Sequence, residues 1–209
     1  MHKIHLTLLV AWSVGSGVCH AQSTPAPLPS VQTALTATCI ACHGAMGEGN
    51  VSGVPRLAGK NPEYLAHALT MFKAGTRASP EMQAVAAGLS DSDIQSLSHF
   101  FSEQHPPRIK DATPPDASLA AAGRELAEAG AGADIPACFS CHGAGGKGNG
   151  ARFPVIAGES GAFIVRRLKE FQARAKTTPT GPRTMTDLAA KLSEAQIRQA
   201  AAFLSQIDP

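Results

Sequence analysis

The chain has 209 residues, with 18 basic and 16 acidic side chains and a formal net charge of +2. A charge this evenly balanced offers no electrostatic basis for binding nucleic acid, and we expect no such partner, although peripheral association with a membrane stays open. Aromatic residues make up 5% of the chain. If a chain of this composition forms two small domains, their hydrophobic cores need additional stabilisation from a disulfide, a metal or a cofactor.

The N-terminus has the pattern of a secretory signal peptide over residues 1–21. The stretch from Ile4 to Val18 is mostly apolar, and small residues precede the cleavage position after Ala21. We therefore predict export to the periplasm. A retained buried helix and a lipid anchor on Cys19 are the alternatives. No later run of about 18 apolar residues occurs, so we expect the mature chain to be soluble.

The sequence after residue 21 is one unit used twice. The motif C-x-x-C-H-G at residues 39–44 recurs at residues 138–143, an offset of 99 residues. An insertion around residues 177–183 raises the offset to 103, so that Met82 corresponds to Met185. A repeat of this length indicates two copies of one structural unit.

We predict three parts in the mature chain. An N-terminal domain, here called the first unit, spans residues 22–105, and a C-terminal domain, the second unit, spans residues 118–209. Residues 106–117 between them contain four prolines. This composition favours a semi-rigid linker.

Helical patterns account for most of each unit, and we predict an all-α fold with no substantial sheet. Helices run into the two Cys-x-x-Cys-His motifs, from about Val31 and from about Leu119. In the first unit a second helix begins at Asn61 and stops at Gly75. The last helix of each unit begins at a serine followed three residues later by a side chain that can complete a capping box, Ser90 with Asp93 and Ser193 with Gln196.

Cys-x-x-Cys-His is the attachment motif of c-type haem. Thiols three residues apart can reach the two vinyl groups on one porphyrin edge, and the adjacent imidazole then faces the iron. Zinc would need ligands from both units, and a thiol redox site would need a strand–helix context that the sequence lacks. We therefore predict two covalently attached haems, held by Cys39, Cys42 and His43 and by Cys138, Cys141 and His142.

The second axial ligand of each iron must come from elsewhere in its unit. Met82 and Met185 correspond between the units, and each lies about forty residues beyond its histidine in a predicted loop. We predict His43 with Met82 as the iron ligands in the first unit and His142 with Met185 in the second. For both methionines the alternative is core packing.

Other side chains of the first unit are rival ligands. Met46 is only three residues from His43, and Met71 lies inside the predicted helix that starts at Asn61. The rival histidines have no histidine at the equivalent position of the second unit, which predicts surface or packing roles for His67, His99 and His105.

Pro55 and Pro154 each lie twelve residues after the axial histidine of their unit. We predict that each proline carbonyl accepts a hydrogen bond from the other nitrogen of that imidazole, which fixes its tautomer. A rigid turn is the alternative role, and the two roles are compatible.

Iron with histidine and methionine ligands predicts a function. A thioether favours Fe(II) and raises the reduction potential, and six-coordinate iron has no open position for a ligand. We therefore expect an electron carrier without catalytic residues or a small-molecule substrate. The alternatives are a subunit of a larger oxidoreductase, such as a flavocytochrome that oxidises sulfide, and an enzyme or gas sensor with one open haem.

At these residues the chain resembles the dihaem cytochrome c4 family. The likeness covers nearly all of the mature sequence and rests on CIACHG and CFSCHG, VPRLAGKNPEYL and FPVIAGESGAFI, FKAGTR, and the segments MQAVAAGLS and MTDLAAKLS. The resemblance implies two cytochrome c folds around a pseudo-twofold axis, with the haem propionates near the interface. It also implies a periplasmic carrier between a quinol-oxidising complex and a terminal oxidase or reductase.

The chain departs from that family pattern at two places. Such proteins often carry glutamine where this chain has Lys60 and Glu159. The second unit has Lys176 at the position of Arg77, so the resemblance gives weaker support for a propionate contact by Arg77 than for the motif residues, and weaker support still for one by Lys176.

Overall fold

The computed structural model describes residues 30–179 and 181–209, so the predicted signal peptide lies outside the described residues. Nine α-helices occur in this part of the chain. The first unit contains α1 (Ser30–His43), α2 (Pro62–Lys73), α3 (Pro80–Ala87) and α4 (Asp91–Ser102). The second unit contains α5 (Ala117–Ala129), α6 (Cys138–His142), α7 (Gly161–Ala175), α8 (Met185–Lys191) and α9 (Glu194–Leu204).

Helix α4 is the central helix of the first unit. It packs against α1 and α2, while α3 packs on α2. The buried core consists of Ala66, Leu89, Ile94 and Leu97, with Leu35, Cys39 and Leu69 packed against it. The first cysteine of the motif therefore lies at the edge of this core.

Helix α9 has the equivalent place in the second unit. It packs against α5 and α7, and α8 packs on α7. The core residues are Leu126, Ile164, Ala200, Ala201 and Leu204. Both cores are small, as the composition predicts, and cores of this size usually need support from a disulfide, a metal or a cofactor.

The predicted helix starts are present. The Asn61 side chain accepts hydrogen bonds from the backbone N–H groups of Glu63 and Tyr64. Both capping boxes form, with the Ser90 hydroxyl accepting from the backbone of Asp93 and Asp93 accepting in return from the backbone of Ser90. The box at Ser193 and Gln196 repeats this arrangement in the second unit. These local predictions are confirmed because a cap involves only residues within one turn.

Two local expectations were wrong. The helix that begins at Ala117 does not reach the second motif, because it ends at Gly130 with φ +81° and a turn separates it from α6. The segments that carry Met82 and Met185 are not loops either. Each methionine lies in the first turn of a short helix, α3 or α8, whose start is capped by the Ser79 or Thr184 side chain.

The all-α prediction is confirmed for the described residues. Within residues 30–179 and 181–209 the only β pairings are two isolated bridges, Ala131 with Ile135 and Asn149 with Phe153. No helix in this range is long and apolar enough to cross a bilayer.

The linker over residues 106–117 packs against both units and is not a free spacer. The buried Arg56 guanidinium of the first unit donates to the carbonyl oxygens of Pro106 and Pro107, at 2.5 and 3.3 Å. Arg108 binds the carboxylate of Asp208 in the second unit at 3.0 Å. The domain boundaries themselves stay predictions.

Direct contacts also join the two units. Lys60 and Glu159 form a buried ion pair, with 2.6 Å between Nζ and Oε1. Arg166 of the second unit donates to the carbonyl oxygen of Gly53 at 2.8 Å. Polar groups of the two units therefore meet at their interface, and in the buried Lys60–Glu159 pair each charge needs its partner to offset desolvation.

Candidate functional site

Both motif histidines form the same hydrogen bond. His43 Nδ1 donates to the Pro55 carbonyl oxygen at 2.8 Å, and His142 Nδ1 donates to that of Pro154 at 2.8 Å. Each imidazole is almost fully buried, with 7% and 6% exposure. With Nδ1 held by a carbonyl, Nε2 keeps its lone pair and is the nitrogen available to a metal.

The loop between histidine and proline is built alike in the two units. The His43 carbonyl accepts from Gly49 N–H at 2.8 Å, and that of His142 accepts from Gly148 N–H at 2.7 Å. The next contact also recurs, from Leu57 to the Gly47 carbonyl in the first unit and from Ile156 to the Gly146 carbonyl in the second, at 2.8 and 2.9 Å. The repeat is therefore structural at its candidate site.

A glycine must follow each motif histidine. Gly44 has φ +85° and Gly143 has φ +78°, a region that favours glycine. In the second unit the Gly148 carbonyl also lies against Gly143 where a side chain would begin. Each helix therefore ends at its histidine, and the imidazole stands where the chain turns away.

The first cysteine of each motif is not an activated thiol. Burial raises the pKa of Cys39 and of Cys138, so both favour the neutral thiol. The four described cysteines form no disulfide with one another. A redox-active dithiol would need a lowered pKa, which argues against that alternative.

Burial also lowers the pKa of both histidines, which keeps the imidazoles neutral and able to bind a metal. The smaller causes of these two histidine pKa shifts differ between the units. Their proline carbonyls oppose the lowering, Glu159 also opposes it at His43, and Lys60 adds to it at His142. The two histidine sites thus have the same geometry, but a negative charge acts on His43 and a positive charge acts on His142.

Met82 and Met185 are both half-buried in the first turn of their helices. The Met82 backbone N–H donates to Ser79 Oγ at 3.3 Å, which anchors the start of α3. Their role as iron ligands stays a prediction. The rival Met46 is 43% exposed, and the rival histidines are all exposed: His67, His99 and His105.

Comparison with known proteins agrees with this geometry. The family description "Cytochrome C oxidase, cbb3-type, subunit III" matches the chain twice, over residues 26–101 and 119–204. Cytochrome c4 of Azotobacter vinelandii is 31% identical, over 98% of each chain. The thiosulfate dehydrogenase electron acceptor of Thiomonas intermedia is 38% identical, over 81% of this chain and 78% of its own. The cytochrome c4 structure from Acidithiobacillus ferrooxidans matches with a TM-score of 0.71 and 31% identity, over 82% of this chain and 99% of its own.

The chain belongs to the dihaem cytochrome c4 family. As in this family, its function is electron transfer, and it is a carrier and not an enzyme. The two motifs fit the covalent attachment of one c-type haem each, through Cys39 and Cys42 and through Cys138 and Cys141, beside His43 and His142.

The donor set fits haem in this cytochrome c4 homologue. Each unit presents two thiols on one helix end, the first of them kept neutral by burial, and a neutral imidazole whose free nitrogen is set by its carbonyl partner. The haem supplies an iron that changes its oxidation state by one electron. The protein residues hold the ring, orient the imidazole and keep water away from it.

A pair of arginines that the sequence did not connect lies between the units. Arg77 is buried at 7% exposure, with its guanidinium 4.6 Å from the Phe72 ring centre. Arg167 is 4.2 Å from the ring centre of Phe171. Burial lowers the pKa of Arg77, and the charge of Arg167 lowers it further. Arg167 also forms an ion pair with Glu170, with 2.7 Å between Nη1 and Oε2. A pair of arginines suits the anionic propionates of haem.

Repeat correspondence missed Arg167, because the equivalent residue in the first unit is Ala68. Lys176, the position equivalent to Arg77, is exposed at the end of α7. Arg167 therefore provides a half-buried cation in the second unit where Lys176 does not. A useful signal would have been the spacing of Arg167 and Phe171 by one helical turn.

Proposed function

We propose that this protein carries electrons in the periplasm from a quinol-oxidising complex to a terminal oxidase or reductase, with His–Met ligation of iron in both units. The observation that carries the proposal is the matched hydrogen bond from each buried histidine to its proline, His43 to Pro55 and His142 to Pro154. In both units this bond leaves Nε2 of the imidazole available to bind iron. Met82 and Met185 then supply the second ligand of their units.

His–Met ligation makes each unit suited to outer-sphere transfer. A methionine sulfur stabilises Fe(II) and closes the sixth coordination position, so no small molecule needs to bind the iron. The second cysteine of the first motif, Cys42, is exposed, while His43 beside it is buried. A porphyrin edge attached at Cys42 is therefore near the surface, where a redox partner can approach.

A second candidate function rests on two relatives that are electron acceptors of thiosulfate dehydrogenase. The Thiomonas intermedia protein that is 38% identical to this chain is a thiosulfate dehydrogenase electron acceptor. The same carrier fold can accept electrons from such a dehydrogenase instead of from a quinol-oxidising complex. The alternative of a subunit in a larger oxidoreductase, such as a flavocytochrome that oxidises sulfide, stays beside it, because the cytochrome subunit of sulfide dehydrogenase from Chlorobaculum tepidum is 34% identical over 42% of this chain.

Competing electron donors test the proposed function. Oxidised holoprotein is mixed, in one arm, with a quinol and membranes that contain a quinol-oxidising complex, and in the other with thiosulfate and a thiosulfate dehydrogenase. We expect rapid reduction of both haems in the first arm, followed by reoxidation when terminal oxidase is added. Rapid reduction in the thiosulfate arm alone would assign the second function. Failure to be reduced in either arm would refute a carrier role with these partners.

Export can be tested separately. We propose that the chain is secreted and cleaved after Ala21, since a haem attached to Cys-x-x-Cys-His and a periplasmic carrier both require export. The holoprotein should then appear in the periplasmic fraction, and its N-terminal sequence should begin at Gln22. An intact N-terminus in the cytoplasmic fraction would contradict this prediction, and a lipid on Cys19 would support the anchored alternative.

A further inference from the structure

Equivalent positions of the two units carry opposite charges that meet each other. Lys60 and Glu159 correspond at the repeat offset of 99 residues. They form an ion pair at 2.6 Å and are only 6% and 2% exposed. Two identical charges at this buried place would repel, whereas opposite charges attract. The pair therefore makes the two halves of a duplicated chain electrically unlike.

Each charge also contacts the backbone beside the other unit's histidine. Glu159 Oε2 accepts from the Arg56 backbone N–H at 3.1 Å, and Lys60 Nζ donates to the Val155 carbonyl at 2.8 Å. Arg56 and Val155 are equivalent residues, and each directly follows the proline that binds the motif histidine. The contacts are thus related by the repeat, but one holds an anion and the other a cation.

In the first unit the anion closes a chain of hydrogen bonds. His43 Nδ1 donates to the Pro55 carbonyl, and the N–H of the same peptide group, on Arg56, donates to Glu159. A carboxylate on the N–H polarises the peptide group and makes its carbonyl a stronger acceptor. The imidazole then becomes more electron-rich, which stabilises oxidised iron.

In the second unit the neighbouring charge has the opposite sign. The Lys60 ammonium donates a hydrogen bond to the Val155 carbonyl oxygen. That carbonyl belongs to the peptide group that follows the Pro154 carbonyl, which accepts from His142. A positive charge beside this site disfavours the added charge of oxidised iron. Arg56 adds a cation on the side of the first unit, where the carbonyls of Ala58, Pro106 and Pro107 hold its guanidinium. This charge is the same in the variants below, so a comparison between them reports the effect of the Lys60–Glu159 pair.

We propose that the Lys60–Glu159 pair lowers the reduction potential of the haem in the first unit relative to that in the second. The proposal rests on the proposed ligation by His43 and His142. An electron that enters either haem is then favoured on the haem of the second unit, so electron transfer within the protein runs from the first unit to the second. Lys60 and Glu159 are positioning residues, because they act through the peptide groups behind the histidines.

A charge swap tests the proposal without leaving a buried charge unpaired. The double variant is Lys60→Glu with Glu159→Lys. By the repeat symmetry, the carboxylate introduced at position 60 can face the backbone N–H of Val155, and the ammonium introduced at position 159 can face the carbonyl of Arg56. The potentials are measured by spectroelectrochemical titration of the holoprotein. Paramagnetic NMR assigns each haem through its contacts with residues 40–41 or 139–140, which lie between the cysteines of each motif.

We expect the swap to move the equilibrium of the electron between the two haems toward the first unit by about tenfold, or about 59 mV for a one-electron couple. The double variant Lys60→Gln with Glu159→Gln should produce a shift in the same direction but about half as large. The control is the same swap at the exposed pair Lys169 and Glu194, which are 50% and 59% exposed and should leave the equilibrium unchanged.

The readouts separate this inference from the proposed function. An unchanged equilibrium in the swap and in the glutamine variant, with two haems still bound, would overturn the inference and leave the carrier role intact. Loss of thermal stability alone, without a change in the assigned potentials, would likewise overturn it and show that the pair only joins the units. Loss of the His–Met spectrum in the unaltered protein would instead remove the proposed ligation.

Discussion

Replacing Met185 with alanine should abolish about half of the absorption band at about 695 nm that His–Met iron gives in its oxidised form. The band should fall by half because each unit contributes one haem. Without the thioether the second-unit iron loses its soft ligand, so its potential should fall and its reduced form should bind carbon monoxide. Met82→Ala should do the same in the first unit. Optical titration and carbon monoxide binding measure these changes.

Two other methionines serve as controls for this prediction. Met46 is 43% exposed and Met71 lies within α2, one turn beyond the exposed His67. Met46→Ala and Met71→Ala should leave the full band. A full band in both Met82→Ala and Met185→Ala would show that neither sulfur binds iron, and ligation by a different side chain would then have to explain the spectrum.

Introducing a single methyl group at Gly123 should destabilise the second unit by about 2 kcal/mol or more. A Cβ there would collide with the Gln199 carbonyl oxygen and would lie 2.8 Å from Phe203 Cβ. The first neighbour is backbone of α9, so it cannot move aside as a flexible side chain would. Helices α5 and α9 would have to separate, and this cost exceeds the gain of about 1 kcal/mol that alanine normally brings to a helix.

Denaturant unfolding of the holoprotein, followed by far-UV circular dichroism, measures the effect of Gly123→Ala. The matched control is Gly161→Ala in the first turn of α7, where the nearest atoms to a new Cβ are at 3.8 and 3.9 Å. That change should leave the free energy of unfolding unchanged or raise it by up to about 1 kcal/mol, the usual gain from alanine in a helix. Equal stabilities of the two variants would contradict the close packing of α5 on α9.

The features that sequence analysis placed well are local. The haem attachment motifs, the capping boxes at Ser90 and Ser193, and the twelve-residue spacing from histidine to proline all involve short separations along the chain. Hydrogen bonds over such distances depend on residue type and spacing, so a pattern suffices to predict them. The tandem repeat extended these predictions to the second unit.

Two expectations failed, one at the end of α5 and one at the methionine segments. The helix from Ala117 stops at Gly130, where a new Cβ would lie against the Ile135 carbonyl, before the motif begins. The methionine segments become short helices because Ser79 and Thr184 cap them and α2 and α7 pack beneath. A glycine such as Gly123 reads as a weak point in a helix, although it is the position that lets two helices touch.

By itself, the sequence determined the family, the two haem attachment sites and the all-helical repeat, because these depend on spacings within a unit and on their recurrence. Only the tertiary structure decided which residues meet between the units. Lys60 with Glu159 and Arg77 near Arg167 are separated by about a hundred residues, and Arg167 has no arginine counterpart in the first unit. Such contacts form only when the two folded units pack against each other, so the correspondence between repeats cannot predict them. They give the two histidine sites, which have the same local geometry, different charged neighbours.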